Sequence, residues 1–342
     1  MAVGYQPLFT ITPRLLALTE TIAAVRERIL SASVQVPWIP GFQREARIRT
    51  AHSSTAIEGN PLTLAEIRAL EEGRELPARS DRARREVLNY FAGLRFIEKN
   101  AGKKSITQEN ILRLHAIIAG GVMDQGRAGQ YRTMAVRVGR FVPPPADEVS
   151  GLMREFLEWW NAQAGGYSPV VSSAVLHYRF EEIHPFADGN GRTGRAIALW
   201  ELYRRGFDSH HIFSMDEFFW SDRSRYYDEL DGVRRAGGDL TAWLEYAAEA
   251  LLRTLDDVWK RVQAVIARSG DIKIFLQPKQ EMLLRMLEDR GGLTPREIWD
   301  ALGMTRQGAS KLIKPLMEAG LMRRVGGKKT GRYIRTQPMK KA

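Results

Sequence analysis

The twelve residues from His184 to Arg195 read His-Pro-Phe-Ala-Asp-Gly-Asn-Gly-Arg-Thr-Gly-Arg. Their turn, Gly189-Asn190-Gly191, stands immediately before a helix predicted over 192–205. Glycines allow a backbone to approach an anion closely, and the first N–H groups of a helix have no partner within it. The positive end of the helix dipole lies at the same point. The sequence therefore predicts a binding site for a phosphate-sized anion at this turn.

The polar side chains of this segment have separate predicted tasks. Arg192 and Arg195 are three residues apart, which places both on one exposed face of the predicted helix, where they can bind successive phosphates. Asp188 is a hard oxygen ligand suited to a Mg²⁺ ion that bridges phosphates. His184 has an imidazole that titrates near neutral pH, so it can accept a proton from a hydroxyl.

Other glycine-rich motifs fit this segment less well. Gly189-x-Gly191-x-x-Gly194 matches the letters of the dinucleotide-binding fingerprint, but it follows a helix predicted over 169–183, where that fingerprint needs a strand. A P-loop requires a lysine after its last glycine, and residues 184–195 contain none. A glycine-rich turn with surface arginines would account for any few of these residues, but not for all of them together.

The rest of the chain has a mainly helical pattern. Apolar residues recur at helical spacing, with predicted helices at 13–30, 44–57, 63–72, 81–99, 107–119, 147–163, 169–183, 192–205, 223–235 and 238–268. One segment differs, because Met134 to Val142 alternates valines with polar residues and then stops at three prolines. That pattern predicts a short hairpin or extended flap, over 134–145, in an otherwise helical domain.

A second domain is predicted after Ser269-Gly270. Its pattern is a helix over 278–289, a helix that begins at Thr294-Pro295, a helix from Thr305 to about Ala319, and short strands at 321–325 and 332–335. A helix-turn-helix followed by a basic two-stranded ribbon is the pattern of a winged helix. Residues 271–342 contain 16 Lys and Arg against 7 Asp and Glu, which favours a polyanionic partner.

The winged-helix interpretation makes DNA the expected polyanion. The residue types that reach base edges and phosphates are Arg306, Gln307, Ser310 and Lys311 in the recognition helix, and Lys328 and Lys329 on the wing. Two alternatives stay open from the sequence. The domain can be a protein-docking or dimerisation unit, or its charge can be a solvated surface that aids solubility.

The composition limits the possible chemistry and location. The 342 residues include no cysteine, which excludes disulfides, thiolate catalysis and cysteine-ligated zinc, and which suits a reducing compartment. No apolar run approaches the roughly 18 residues that span a bilayer, and the first ten residues lack the pattern of a signal peptide. We therefore expect a cytoplasmic protein without a membrane partner.

The segment 184–195 resembles the signature of the Fic family, His-Pro-Phe-x-Asp/Glu-Gly-Asn-Gly-Arg-x-x-Arg, at every defined position. The resemblance implies a helical bundle that transfers AMP from ATP to a protein hydroxyl and releases pyrophosphate. In that family pattern, His184 deprotonates the target hydroxyl and Asp188 holds Mg²⁺. The implied phosphate-binding set is Gly189, Asn190, Gly191, Arg192 and Arg195.

Two further segments resemble parts of the same family. The family's flap docks the target segment by strand addition, and the residues that match it are Val136, Arg137, Val138, Gly139 and Val142. The pair Tyr226-Tyr227 resembles tyrosines often found near the adenine pocket, although two aromatic residues on one helix are more often core residues. The implied partners are ATP and an unidentified target protein.

A second motif lies at the end of the helix predicted over 44–57. Ser54 and Glu58 are four residues apart and so lie on one helical face, with a turn at Gly59. Taken alone, this spacing fits a frayed helix end with a solvated glutamate. The segment also resembles the family's inhibitory motif, Ser/Thr-x-x-x-Glu-Gly/Asn, which implies that Glu58 pairs with Arg195 and denies that cation to the γ-phosphate.

These interpretations divide the chain into an N-terminal helical region at 1–105 with the inhibitory helix at about 43–60, a catalytic core at 106–268, and a winged helix at 272–338. The expected protein is an autoinhibited adenylyltransferase. A homodimer fits this expectation, since family members and winged helices both commonly pair. Two alternatives use the same site: removal of AMP from a modified protein by a water that Glu58 positions, and a transcription regulator that only senses nucleotide.

Overall fold

The computed structural model describes residues 4–32, 39–75, 81–208, 210–268, 278–318, 320–327 and 331–336. The chain divides into two compact units. The first consists of Met1–Val25 and Ile39–Val258, and the second of Arg26–Trp38 and Trp259–Ala342. Lys328 and Lys329, which the sequence analysis places on the wing, lie outside the described residues.

The prediction of a mainly α chain is confirmed. The helices that begin in the first unit are α1 (Pro13–Ser31), α2 (Ile39–Ile57), α3 (Leu64–Glu71), α4 (Asp81–Lys99), α5 (Gln108–Ala119), α6 (Val149–Ala162), α7 (Pro169–Ile183), α8 (Asn190–Arg204), α9 (Asp216–Ser221), α10 (Arg223–Arg235) and α11 (Thr241–Arg268). Most predicted bounds agree within a few residues. The short α9 has no predicted counterpart, and α2 begins five residues before the predicted start.

Local capping explains several of these bounds. Thr63 forms the predicted capping box, because its hydroxyl accepts from the N–H of Glu66 while the Glu66 carboxylate accepts from the N–H of Thr63 at 2.8 Å. Ser168 caps α7 in front of Pro169, which occupies the first turn, where a missing N–H costs nothing. The starts of these helices are therefore encoded locally.

The centre of the first unit is the helix pair α7 and α8. Both helices are buried along nearly their whole length, and α8 also packs against α4, α5 and α2. Large aromatic residues surround the pair, among them Trp160, Trp200 and Trp243. The expectation that Arg192 and Arg195 lie on an exposed helical face is wrong. Helices cover α8 on several sides, so these residues are only 4% and 2% exposed.

The predicted flap is a minimal hairpin. Val138 and Phe141 exchange two backbone hydrogen bonds of 2.9 Å, and the turn between them places Gly139 at φ 58°. That dihedral suits a residue without a side chain. The guanidinium of Arg234, on α10, lies 3.6 Å from the ring centroid of Phe141. The tip of the flap therefore contacts α10 through a cation–π interaction.

The second unit contains α12 (Pro278–Arg290), α13 (Pro295–Leu302), α14 (Arg306–Glu318) and an antiparallel pair, β1 (Met322–Val325) and β2 (Arg332–Arg335). Thr294 forms a capping box for α13, and Gly303 ends that helix at φ 56°. Both features agree with the helix-turn-helix that the sequence predicts. The core of this unit consists of apolar side chains from all three helices, including Leu283, Leu284, Leu287, Ile298, Ile313 and Leu316.

Within the described ranges, no helix is both long enough and apolar enough to cross a membrane.

Candidate active site

The predicted site residues meet at the end of α7. The helix ends at Ile183, and His184 follows with φ at 49°, in the left-handed region. A residue with a side chain occupies that region at a cost of about 1–2 kcal/mol, so neighbouring contacts must hold it there. One of them is the N–H of His184, which donates to the carbonyl of Phe180 at 2.9 Å.

Arg132 holds this turn from the other side. Its side chain is buried, and its guanidinium donates to four carbonyls, those of His184 (2.8 Å), Met134 (3.2 Å), Pro144 (2.5 Å) and Ile183 (3.4 Å). Two of these carbonyls belong to the flap and two to the end of α7. Arg132 thus joins the base of the flap to the turn that carries His184. The sequence analysis did not identify it, because a lone arginine before the flap looks like a surface residue.

Two buried side chains shape the turn between His184 and α8. The amide of Asn190 accepts from the N–H of Phe186 at 2.9 Å and donates to the Phe186 carbonyl at 2.8 Å. The ring of Phe186 is fully buried and stacks on the imidazole of His115, with centroids 3.5 Å apart. The side chain of Asn190 therefore closes the loop. The backbone N–H of Asn190, at the first residue of α8, points to the predicted anion site as one of the unpaired N–H groups of a helix start.

His115 fixes the glycine-rich turn. Its Nδ1 accepts from the N–H of Gly129 at 2.9 Å, so Nε2 carries the proton and donates to the carbonyl of Asp188 at 2.8 Å. Burial lowers the pKa of His115 to about 4, which keeps the ring neutral and this arrangement intact at physiological pH. Gly189 follows at φ 77°, a dihedral that favours glycine. The sequence did not predict this contact, because His115 is far from Asp188 along the chain.

The pair that the family resemblance implies, Glu58 with Arg195, is present. The guanidinium of Arg195 is 1% exposed and donates to the carboxylate of Glu58 and to the backbone carbonyl of Ser54, both at 2.8 Å. Its Nε also donates to the hydroxyl of Ser54 at 2.8 Å. A Cβ added to Gly191 would overlap the Glu58 carboxylate, so this carboxylate lies directly on the first turn of α8. We name Glu58 and Arg195 the inhibitory pair.

Arg192 has a different environment. Its guanidinium is 5% exposed and lies 3.6 Å from the carboxylate of Asp188 and 3.9 Å from that of Glu86. Nε and Nη1 of Arg192 have no hydrogen-bond partner among the described residues. A buried cation with unused donors is suited to an incoming anion. Glu86, on α4, was not identified from the sequence, since it is more than one hundred positions away.

The residues described above line two adjoining hollows, a cavity and a cleft. A cavity of about 360 Å³ is lined by Glu58, Glu181, His184, Gly191, Arg195, Tyr226, Tyr227, Leu230, Asp231, Arg234 and the flap residues Val138, Gly139 and Arg140. A cleft of about 520 Å³ is lined by Glu58, Arg82, Glu86, Asp124, Gln125, Ala187, Asp188, Arg192 and flap residues 135–137. Most predicted flap residues therefore border the site. Val142 lines neither hollow and is 61% exposed.

The two tyrosines suggested for a base pocket are both in the cavity wall. Tyr226 is also a core residue, because it is 1% exposed and its hydroxyl lies 3.0 Å from Nε2 of His177. Tyr227 is half-buried, and its ring centroid lies 5.2 Å from that of Tyr226. Aromatic faces of this kind can stack on a planar base.

His184 is electrostatically suited to act as a base. Burial lowers its pKa to about 4, so the imidazole is neutral at physiological pH. Its Nδ1 lies 3.8 Å from the carboxyl of Glu181, one turn earlier on α7. Burial raises the pKa of Glu181 to about 7. The sequence analysis missed Glu181, although its position three residues before His184 was the available signal.

Asp188, the residue predicted to hold the metal, lies in the wall of the cleft together with Glu58, Glu86 and Asp124. Asp188 is partly exposed, and its Oδ1 accepts from the N–H of Gly189 at 2.5 Å. Across the described part of the chain, no group of three or more His, Cys, Asp or Glu side chains could hold a metal ion. Mg²⁺ that arrives with a triphosphate needs only one or two protein carboxylates, because phosphates and water complete its shell. Asp188 satisfies that requirement.

Comparison with known proteins finds a family match within each of the two units. Residues 105–202 match the sequence profile of the Fic/DOC family, and residues 276–332 match that of the MarR family. The protein adenylyltransferase Fic of Aedes aegypti is 34% identical over 241 residues, 69% of this chain and 46% of that protein. The protein adenylyltransferase fic-1 of Caenorhabditis elegans is 32% identical over 255 residues, 72% of this chain and 48% of that protein. The chain spans about half the length of these curated relatives.

Solved structures of Fic proteins have a similar fold. A Fic family protein from Desulfovibrio desulfuricans G20 has a TM-score of 0.66 and 28% identity, and the match covers 98% of this chain and 100% of that one. A fragment of Fic-1 from C. elegans has a TM-score of 0.61 and 27% identity, with 72% of each chain covered. The family resemblance and the winged-helix pattern found in the sequence are thereby confirmed.

The close contact of α7 with α8 can be tested at Gly194. A Cβ at this position would overlap the carboxyl of Glu181 and approach the Phe180 ring to 3.2 Å. We expect Gly194→Ala to lower the free energy of unfolding by about 1–2 kcal/mol, because overpacking outweighs the better helix propensity of alanine. Urea unfolding followed by tryptophan fluorescence measures this change.

Gly151 on α6 is the matched control, since a Cβ added there meets nothing within 4 Å. Gly151→Ala should leave stability equal or raise it by up to about 1 kcal/mol. Equal urea midpoints for the two variants would show that the α7–α8 contact leaves room for a methyl group.

Proposed function

We propose, since residues 105–202 belong to the Fic/DOC family, that this chain is a protein adenylyltransferase that transfers AMP from ATP to a hydroxyl side chain of a target protein. The proposal rests on one observation: side chains of residues 184–195 line a single site. A neutral buried imidazole and a buried arginine with unused donors border adjoining hollows at the start of α8. That set suits a nucleoside triphosphate and a hydroxyl nucleophile.

The phosphates of ATP would bind at the start of α8. The N–H groups of the first turn and the helix dipole attract the α-phosphate, and the free donors of Arg192 bind the next phosphates. Asp188 would hold a Mg²⁺ ion, which when bound offsets phosphate charge. Tyr226 and Tyr227 would lie beside the base, while the flap residues Val138 to Arg140 cover the cavity.

His184 would act as the base in the transfer of AMP to the target hydroxyl. The hydroxyl of the target loses its proton to the neutral imidazole, and its oxygen forms a bond to the α-phosphorus. The bond from that phosphorus to the bridging oxygen breaks, and pyrophosphate leaves with the electron pair. The products are the AMP-modified protein, pyrophosphate and a protonated His184, which then releases its proton to water.

The flap would present the target to this base. Val136 and Arg137 line the cleft and Val138 lines the cavity, and strand addition to this segment would align a peptide without reading its side chains. Arg132 supports this alignment, because it fixes the base of the flap to the turn of His184.

The inhibitory pair would set the resting state of the enzyme. Glu58 accepts a hydrogen bond from Nη2 of Arg195 and lies against Gly191, where phosphates would otherwise bind. Its carboxylate is one-third exposed, so its interaction with Arg195 is weaker than that of a fully buried pair. ATP would therefore bind in a pose that lacks the second arginine, and transfer would be slow.

This model predicts that Glu58→Gly increases AMP transfer by about tenfold or more, since about 1.4 kcal/mol of competing interaction corresponds to one factor of ten. Incorporation of labelled AMP from Mg²⁺-ATP into lysate proteins or into the chain itself measures it. His184→Ala in the same background should abolish incorporation.

Glu72→Gly is the matched control, because Glu72 contacts only the exposed Arg74 among the ion pairs found in the structure. It should leave transfer unchanged. No gain for Glu58→Gly over this control would contradict autoinhibition. Release of AMP from a pre-modified protein, without incorporation, would instead favour the reverse reaction.

We further propose that the winged helix binds duplex DNA. The four recognition residues, Arg306, Gln307, Ser310 and Lys311, are all exposed at the start of α14. The unit matches the MarR family, and the basic residues of α14, β1 and β2 give it a positive surface suited to phosphates.

Lys311→Ala should weaken DNA binding by about tenfold and reduce the slope of log Kd against log salt by about 1, because one phosphate contact is lost. Fluorescence anisotropy with a mixed-sequence duplex at several salt concentrations measures both. Arg154→Ala removes the same charge from an exposed site on α6 and should change neither value. Equal effects of both variants would assign the binding to net charge alone.

A further inference from the structure

Glu181 lies in a slot between the two central helices. Its side chain leaves α7 toward α8 and occupies the space that a Cβ of Gly194 would fill. The residue is 7% exposed, and its carboxyl is part of the cavity wall beside His184. Because both helices are buried and closely packed, the slot holds this carboxyl beside the imidazole.

The two groups face each other with unused hydrogen-bonding atoms. Oε2 of Glu181 lies 3.8 Å from Nδ1 of His184. Among the described residues, Oε1 of Glu181 has no hydrogen-bond partner, and Nδ1 of His184 makes no side-chain hydrogen bond, while the backbone of Glu181 lies close enough to the ring to raise its pKa. Since Nδ1 faces Glu181, Nε2 is the nitrogen left to meet a hydroxyl in the cavity. A base that works through Nε2 must carry its own proton on Nδ1.

Several charged groups surround this carboxyl. Besides His184, those that act on Glu181 are Arg195 on α8, Glu58 after α2, Arg234 on α10 and the phenol of Tyr226. Burial raises the pKa of Glu181, the two arginines lower it, and Glu58 raises it, with a result of about 7. The carboxyl therefore changes its charge within the physiological range.

A purely structural role accounts poorly for these facts. A buried carboxyl with an unpartnered oxygen is unfavourable for stability, and a neutral amide of the same shape would fill the slot at lower cost. Groups of this kind are found at functional sites, where the charge has a use.

We propose that Glu181 is a positioning residue for the adenylyl transfer proposed above. Its carboxylate orients the Nδ1–H of His184 and stabilises the imidazolium that forms when Nε2 accepts the proton of the target hydroxyl. Glu181 neither gains nor loses a proton in this step. The proton moves from the hydroxyl oxygen to Nε2, and the positive charge that appears on the ring lies next to a fixed negative charge.

The experiment compares Glu181→Gln and Glu181→Asp in the full chain with Glu58→Gly as the parent. Initial rates of AMP incorporation are measured from about pH 5.5 to about pH 9 at saturating Mg²⁺-ATP. The carboxylate is the active form, so the parent rate should fall as the pH drops through the pKa of Glu181. That midpoint should lie below 7, since the variant lacks the charge of Glu58 that raises the pKa of Glu181.

Glu181→Gln should reduce the rate at high pH by about 10- to 100-fold, as found for groups that assist general bases, and should remove the pH dependence in this range. ATP binding and the thermal midpoint should not decrease. Glu181→Asp should keep a pH-dependent rate at a lower level, because it retains the charge at a longer distance. These results would support the positioning role.

Other outcomes are equally decisive. Glu181→Gln with the rate and the pH profile of the parent would overturn the inference while leaving the proposed function intact. An inactive Glu58→Gly parent would instead remove the proposed function. If Glu181→Gln fails to fold, Glu181→Asp decides, and a flat pH profile in that variant overturns the role of the carboxylate.

Discussion

The side chain of Arg195 is 1% exposed, and a cation buried this deeply between helices needs an anionic partner. Ser54 and Glu58 satisfy this need from α2, and Asp216 lies 3.9 Å away on α9, where Tyr90 donates to it. When a nucleotide is absent, the site must therefore supply its own negative charge. In the proposed function, a phosphate of ATP would replace Glu58 beside Arg195, because it supplies the same negative charge.

The helix that carries Glu58 is part of the core. Every residue of its last turn from Ser53 to Ile57 is buried, and ion pairs join Arg49 to Glu217 on α9 and Glu45 to Arg68 on α3. After the turn, Asn60 donates to a carbonyl of α4 and to Glu86. Moving α2 would break all of these contacts, whereas turning the Glu58 side chain breaks one ion pair. In the proposed function, relief of inhibition would therefore require no displacement of a helix.

The sequence predicted what is encoded locally. The anion-binding turn, the capping boxes of Thr63 and Thr294, and the pairing of Glu58 with Arg195 all follow from short motifs or from a family resemblance. Arg132, His115 and Glu86 were missed because their partners come together only through tertiary packing, as with Arg132 and His184, 52 residues apart. Glu181 was missed although His184 is only three residues away, because its burial against Gly194 of α8 is visible only in the fold. The burial of α8 was missed for a related reason. Its arginines look exposed by spacing alone, and only neighbouring helices reveal that they are not.

The bonds of Arg132 to both the flap and the His184 turn have a geometric consequence for substrate choice. Because Arg132 fixes the flap relative to His184, the register of a strand paired with the flap determines which of its residues lies next to the imidazole. Side chains of a strand alternate between two faces at about 3.4 Å per residue. Only every second residue of a docked segment can then point toward the imidazole, and a shift of one position turns the hydroxyl away. In the proposed function, selection of the modified residue would then depend on its position in the docked strand more than on the neighbouring sequence.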